Sequence, residues 1–306
     1  MILYTIKKEK HETDCAYRCP VCGNYVNTAI YVCCDTSGES CSHILRCPQC
    51  TFMFTRPVLL PVLDERQMDS LDDSEMYGSQ IMKFFHRQMY LRKEINYINK
   101  IGLTGATVLD VGCGTGWITD IWAQNGFQVT GLEPSPSRSA FAREKYGIHI
   151  VSDYIEKVNF VNQFNVCILR HVIEHFEEPL PVLENVHQTL KNDGIVLVVV
   201  PNIDCIGRYL FDVDWEWVLP WHCNFFNRRS LETMLNKSGF DLIKIYQTAS
   251  PFYLFQSLVR KLDSQFLSYI NSNFRVASML ATSPVAMLGL LMGFGDSLTA
   301  IARVRK

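Results

Sequence analysis

Residues 108–117 read VLDVGCGTGW: a short run of β-formers holding Asp110, three alternate glycines, and a tryptophan that opens the helix-like WITDIWAQNG. A strand, a glycine loop and a helix start, in that order, let the backbone approach a ligand closely and aim free N–H groups at it. The glycines are Gly112, Gly114 and Gly116. Glu133 ends the next strand-like stretch, QVTGLE, where a carboxylate can accept both hydroxyls of a ribose. A dinucleotide fingerprint needs GxGxxG, with its third glycine reserved for close helix packing and pyrophosphate. Here the loop is GxGxG and Trp117 stands in that last place, which argues against a nicotinamide dinucleotide.

Downstream the two periodicities alternate. TVLDVG, QVTGLE, HIVS, FNVCILRH, IVLVVVP, LIKIYQ and SLTAIARV read as strands; WITDIWAQNG, PSRSAFAREKYG, LPVLENVHQTLKNDG and RRSLETMLNKSGF read as helices. Nearly unbroken apolar strands between helices predict an α/β fold with a parallel, Rossmann-like sheet covered on both faces. Ligands of such sheets bind beyond the carboxyl ends of the strands. Upstream, SEMYGSQIMKFFHRQMYLRKEINYINKIG carries apolar residues at helical spacing and predicts a leading helix that ends at Gly102.

The first residues, MILYTIKKEKHETD, interrupt any apolar run with charge, so no export signal is read and a cytoplasmic location is expected. Of 12 cysteines, eight fall between Cys15 and Cys50, and in a reducing compartment that crowding points to metal rather than disulfides. CPVCG supplies Cys19 and Cys22, and CPQC supplies Cys47 and Cys50. Two CxxC knuckles around strand-like pieces describe a zinc ribbon whose four thiolates close the ion to substrate, giving it a structural role. Cys15, Cys33, Cys34 and Cys41 are left over, as replacement ligands or a second site. A thioredoxin-type redox pair would need a βαβ context that this stretch lacks. The formal net charge of −2 supplies no general attraction for nucleic acid.

With Asp110 two residues before the first glycine, the loop resembles motif I of class I S-adenosylmethionine-dependent methyltransferases. GLEPS resembles the family's second-strand acidic motif, and HVIEHFEEPLPVLENVHQTLKNDGIVLVVVPN its fourth strand, helix and fifth strand. The likeness extends through most of residues 75–304 and is greatest to the branch with "EH" after strand four. That branch includes ubiquinone-biosynthesis O-methyltransferases and enzymes of surface-polysaccharide clusters; the cysteine module resembles that of sugar C-methyltransferases. The resemblance implies a seven-stranded sheet and S-adenosylmethionine as donor. It assigns the glycine loop to the methionine moiety, Glu133 to the ribose, Asp153 to the adenine amino group, and His171 to the site near the sulfonium. Asn165 departs from the family, which usually has aspartate there, at a position remote from the methyl group.

Methyl transfer needs alignment of a nucleophile and removal of its proton. Candidate bases are His171, Glu174 and His175 in HVIEH, and His222 in WEWVLPWHCNFF, a segment dense in aromatic rings. Similar enzymes place a histidine before an aromatic pair there, which favours His222; His175 of HVIEH is the second catalytic candidate. Alternatives are buttressing of the strand-to-helix turn by HVIEH and anchoring of a lid by His222.

The chain thus divides into a zinc-ribbon module (1–60), a leading helical segment (61–106) and a donor-binding domain (107–306) with an apolar insertion at 248–295. Residues 276–295 carry no charge, but Pro284, Gly289 and Gly293 weaken a spanning helix. The insertion is expected to cover the pocket, bind a partner protomer or lie in a membrane interface at the cytoplasmic face. The expected function is methyl transfer to oxygen or carbon of a small acceptor: a sugar, a quinone-like molecule or a lipid-linked one. The alternatives are a zinc-containing RNA methyltransferase and a non-catalytic scaffold.

Overall fold

The computed structural model describes residues 4–35, 40–58, 83–84, 86–219 and 221–305. The first part of the expected leading helix lies outside them. Its described part is a π-helical turn, Arg87–Leu91, running into α1 (Arg92–Lys100).

The glycine loop does link strand to helix. β5 (Thr107–Val111) leads into α2 (Trp117–Gln124), and β6 (Gln128–Leu132) into α3 (Pro136–Tyr146). β7 (His149–Val151), β8 (Phe164–Arg170), α4 (Pro179–Thr189) and β9 (Leu190–Pro201) follow. After α5 (Ile206–Phe211) and the two-residue β10 (Asn224–Phe225) come α6 (Arg228–Lys237) and β11 (Phe240–Thr248). β12 (Ser297–Val304) closes a seven-stranded sheet of order β11-β12-β9-β8-β5-β6-β7. β12 runs antiparallel to both neighbours, so the sheet is parallel except for that strand.

Two local expectations are corrected. α4 stops at Thr189, ahead of the predicted LKNDG extension, because Leu190 already pairs with Phe164 and Ile195 with Val166 in the β8–β9 ladder. Sheet pairing overrides a stretch whose local preference is mixed. Cys34 and Cys41 are joined in a disulfide, although the crowding of cysteines points to metal for the whole cluster. The two residues lie opposite each other in a pair of antiparallel strands, which places the sulfurs within bonding reach.

The N-terminal region is a five-stranded antiparallel sheet, β1 (Tyr4–Arg18), β2 (Tyr25–Asp35), β3 (Cys41–Arg46), β4 (Met53–Arg56) and β10. Its last strand comes from the segment after β9, more than 160 residues later in the chain. Phe52 and Phe54 share one continuous core with Phe226 and with Val196 and Val198 of β9. The small sheet is therefore packed onto the large one.

The insertion forms α7 (Pro251–Leu262), α8 (Gln265–Asn273) and α9 (Arg275–Leu291), with Pro284 inside α9. Gly289 permits a close approach to α5, since a Cβ there would stand 2.6 Å from Ile206 Cγ2. Among the described residues no single helix is long and apolar enough to cross a membrane.

Candidate active site and cysteine cluster

At the carboxyl end of β5 the loop turns through left-handed backbone, with φ of 66°, 56° and 80° at Gly112, Gly114 and Gly116. A Cβ on Gly116 would lie 2.8 Å from Ala142 Cβ, so glycine is required there for packing as well as for backbone conformation. Glu133 is buried at the end of β6, where it accepts hydrogen bonds from Gly114 N–H (2.9 Å) and Ser135 N–H (3.0 Å). One carboxylate therefore ties the glycine loop to the start of α3. Asp110 is buried below the loop and accepts from Thr119 Oγ1 at 2.6 Å; burial pushes its pKa up to about 6, against that bond. Its side chain braces strand against helix. Asp153 follows β7 and accepts from Tyr154 N–H at 2.8 Å. Asn165 sits at the opposite end of the sheet, where its Oδ1 accepts from the Thr107 N–H and hydroxyl and from Lys191 Nζ.

β8 ends at a backbone turn. His171 takes φ of 53°, unusual for a residue with a side chain, and its N–H donates to Val199 O at 2.9 Å. Its ring stacks on Trp217, 4.8 Å between centroids and 2° between planes. Its Nδ1 lies 3.3 Å from Glu174 Oε1. Glu174 is fully buried. Burial alone would raise its pKa, but the hydrogen bond with His171, and after it the neighbouring His175, bring it below the usual value.

His222 is also buried, at 2% exposure, with Nδ1 2.9 Å from Trp217 O. Burial, and then His175, pull its pKa down to about 3, so it stays neutral near pH 7. His175 packs edge-on against it at 4.8 Å and lies open to solvent, its Nδ1 3.3 Å from Trp221 O. The sequence candidates Glu174, His175 and His222 are thus brought together, although the two segments are far apart in the chain. Trp215, Trp217 and Phe225 are core residues between the N-terminal sheet and α7, whereas Trp221 is only partly covered.

Several contributors were not read from the sequence. Thr55 Oγ1 donates to His222 O at 2.9 Å, and Thr55 N–H to Cys223 O at 2.9 Å. Arg56 is buried, bonds the Glu177 carbonyl, and pairs with the Glu177 and Glu178 carboxylates at 3.4 and 3.6 Å. The N-terminal sheet therefore holds both the His222 segment and the end of the HVIEH turn. Glu94 of α1, itself buried, forms an ion pair with Arg170 at the end of β8. One signal was present: Glu94 falls in the apolar stripe of Leu91, Ile95 and Ile98.

In the ribbon, Cys19 Sγ lies 3.5 Å from Cys50 Sγ and Cys22 Sγ 3.4 Å from Cys47 Sγ. All four sulfurs lie within 4.8 Å of one another. Zinc–sulfur bonds of about 2.3 Å in a tetrahedron set sulfurs ~3.8 Å apart, so the donor set fits a zinc ion. The knuckles match: Gly23 N–H returns to Cys19 O and Thr51 N–H to Cys47 O, both at 2.9 Å. Cys15 is exposed and Cys33 buried, both as free thiols.

The family model described as "Methyltransferase domain" matches residues 85–245, just over half of the chain. The chain belongs to this methyltransferase family. Ubiquinone biosynthesis O-methyltransferases are similar to it. The one from Rhodopseudomonas palustris is 30% identical over 124 residues, 39% of this chain and 49% of the relative. The one from Pseudomonas paraeruginosa is 32% identical over 127 residues, 39% of this chain and 54% of the relative. The methyltransferase spans about half the length of these curated relatives. Its fold is similar to that of Burkholderia thailandensis 1,6-didemethyltoxoflavin-N1-methyltransferase, solved with its acceptor and S-adenosylhomocysteine. That likeness has a TM-score of 0.52 at 15% identity and covers 88% of this chain and 96% of the other. Family match and fold agree: a methyltransferase domain built on a seven-stranded, mostly parallel sheet.

Proposed function

We propose that the protein transfers the methyl group of S-adenosylmethionine to oxygen or carbon of a small acceptor, a sugar, quinone-like or lipid-linked molecule. The observation that carries this reading is the gathering of His171, Glu174, His175 and His222 next to the glycine loop: Val172, in the same turn, would touch a Cβ placed on Gly112. When bound, S-adenosylmethionine supplies a methyl carbon activated by a positive sulfur. Gly112, Gly114, Gly116, Asp110, Glu133 and Asp153 are the residues proposed to form its site, Glu133 through the ribose hydroxyls. His171, held flat against Trp217, would form the wall between donor and acceptor. His175 and His222 would take part in removing the acceptor proton, with the solvent-open side of His175 as the way in.

Zinc at Cys19, Cys22, Cys47 and Cys50 would supply structure only, keeping β4 in place against the His222 segment. The exposed apolar residues of α8 and α9, among them Phe266, Tyr269, Leu280, Leu288 and Leu291, form a face proposed to be covered by a second protomer or a cytoplasmic membrane interface. Sizing chromatography and vesicle flotation separate those two.

The function is tested by incubating the protein with methyl-labelled S-adenosylmethionine and separated cell fractions. Label is expected in polar small molecules or extractable lipids. Label confined to RNA would favour the zinc-containing RNA methyltransferase, and donor binding without any labelled product would favour the scaffold.

A further inference from the structure

The Glu174 carboxylate is fully buried and only half satisfied: Oε1 meets His171 Nδ1, and Oε2 has no hydrogen-bond partner among the described residues. A buried carboxylate oxygen left without a donor costs free energy and calls for a ligand. The two histidines beside it are arranged alike. His222 directs Nδ1 at Trp217 O and His175 directs Nδ1 at Trp221 O, so each ring holds its Nδ1 proton on a backbone carbonyl and keeps Nε2 as a lone-pair donor. Fixing the far nitrogen on a carbonyl is how proteins orient metal-binding imidazoles. One ligand atom from each of Glu174, His175 and His222 lies within 4.8 Å of the other two.

We propose that Glu174, His175 and His222 form a second metal site, distinct from the thiolate site, for a divalent first-row cation such as zinc, iron or cobalt. Metal–nitrogen and metal–oxygen bonds of about 2.0–2.2 Å need donor atoms ~3–3.5 Å apart, so closure of the 4.8 Å span by roughly 1.5 Å completes the site. Two imidazoles and a carboxylate suit such ions, whereas magnesium and calcium prefer oxygen donors throughout. Glu174 and His222 close the site on the protein side, and the exposed His175 leaves positions open toward the acceptor. A hydroxyl of the acceptor in an open position would be oriented and made easier to ionise, its proton passing to solvent on the His175 side. The proposal rests on the acceptor reading only for this last use; the site itself stands on the three side chains. In that arrangement His175 and His222 serve as ligands in place of free bases.

The test adds cobalt(II) to the full-length protein as purified, with zinc in the ribbon, and follows metal content and the visible spectrum. Expected are one cobalt per chain beyond the ribbon zinc and a ligand-field band without thiolate charge transfer. Both should be lost in Glu174→Gln and in His175→Ala, the latter a change at an exposed side chain that keeps the fold. Retention of the extra cobalt in both variants would show adventitious binding and overturn the proposal. So would a wild-type protein that takes up no cobalt, or one whose only new band carries thiolate charge transfer. Donor binding, measured separately, decides the methyltransferase reading without deciding this one.

Discussion

The proposed donor half and the proposed acceptor half of this site are built by opposite strategies. The donor half is local: Asp110, the three glycines, Thr119 and Glu133 follow one another closely in the chain and are held by bonds between adjacent strand, loop and helix. The acceptor half is assembled from three remote segments, the HVIEH turn, the His222 loop and β4 of the cysteine-rich sheet, joined by Thr55, Arg56 and Asn224, whose Nδ2 donates to Phe176 O. The lesson is that the N-terminal sheet positions the histidine cluster: it bonds the His222 loop and the end of the HVIEH turn, and β10, from the chain after β9, completes it.

Perturbing one half should leave the other readable. Glu94→Ala breaks the ion pair between the buried Glu94 and Arg170 and should cost roughly 3–5 kcal/mol in urea unfolding, because removing one partner of a pair this far from water is expensive. A loss under ~1 kcal/mol would mean that the Glu94 pair contributes little to the fold. Gly116→Ala puts a side chain at φ 80° and 2.8 Å from Ala142 Cβ. It should cost about 1–3 kcal/mol through strain and crowding and weaken donor binding, with unchanged affinity contradicting the loop's role.

Thr55→Val removes one hydrogen bond to the His222 carbonyl, worth about 1 kcal/mol. Turnover should fall roughly tenfold or more through misplacement of the His222 segment, while affinity for S-adenosylhomocysteine stays within experimental error. Equal losses in both would dissolve the division into halves.

A pH-dependent effect concerns Asp296, which caps the start of α7 by accepting from Ser250 N–H at 2.6 Å. Burial raises its pKa from 3.8 to about 7. The folded state then holds a proton that the unfolded state has released, so this contribution is fully present below pH ~4 and is lost as pH rises through about 7. Asp296→Asn should flatten the fall in melting temperature between about pH 5 and 8, and an unaltered slope would assign that fall to other groups.

The same contrast explains what the sequence disclosed. The glycine loop was legible because strand, turn and helix act within one short stretch, and Cys19, Cys22, Cys47 and Cys50 because two CxxC turns fix their own geometry. β10 has two residues and exists only because Asn224 and Phe225 meet Phe54 and Met53. No local pattern encodes that pairing, nor the stacking of His171 on Trp217. β1 was missed because its alternating charges, in KKEKHE, suit a solvent-facing edge and carry little apolar signal. Glu94 in an apolar stripe was the one overlooked sign, pointing to a buried ion partner.

The central claim, that donor binding belongs to the glycine loop and is independent of the histidine cluster, is tested most directly by calorimetric titration with S-adenosylhomocysteine. Wild-type protein and His175→Ala should each bind one equivalent with the same affinity. Absence of binding in the wild type, or its loss in the variant alone, would contradict the account.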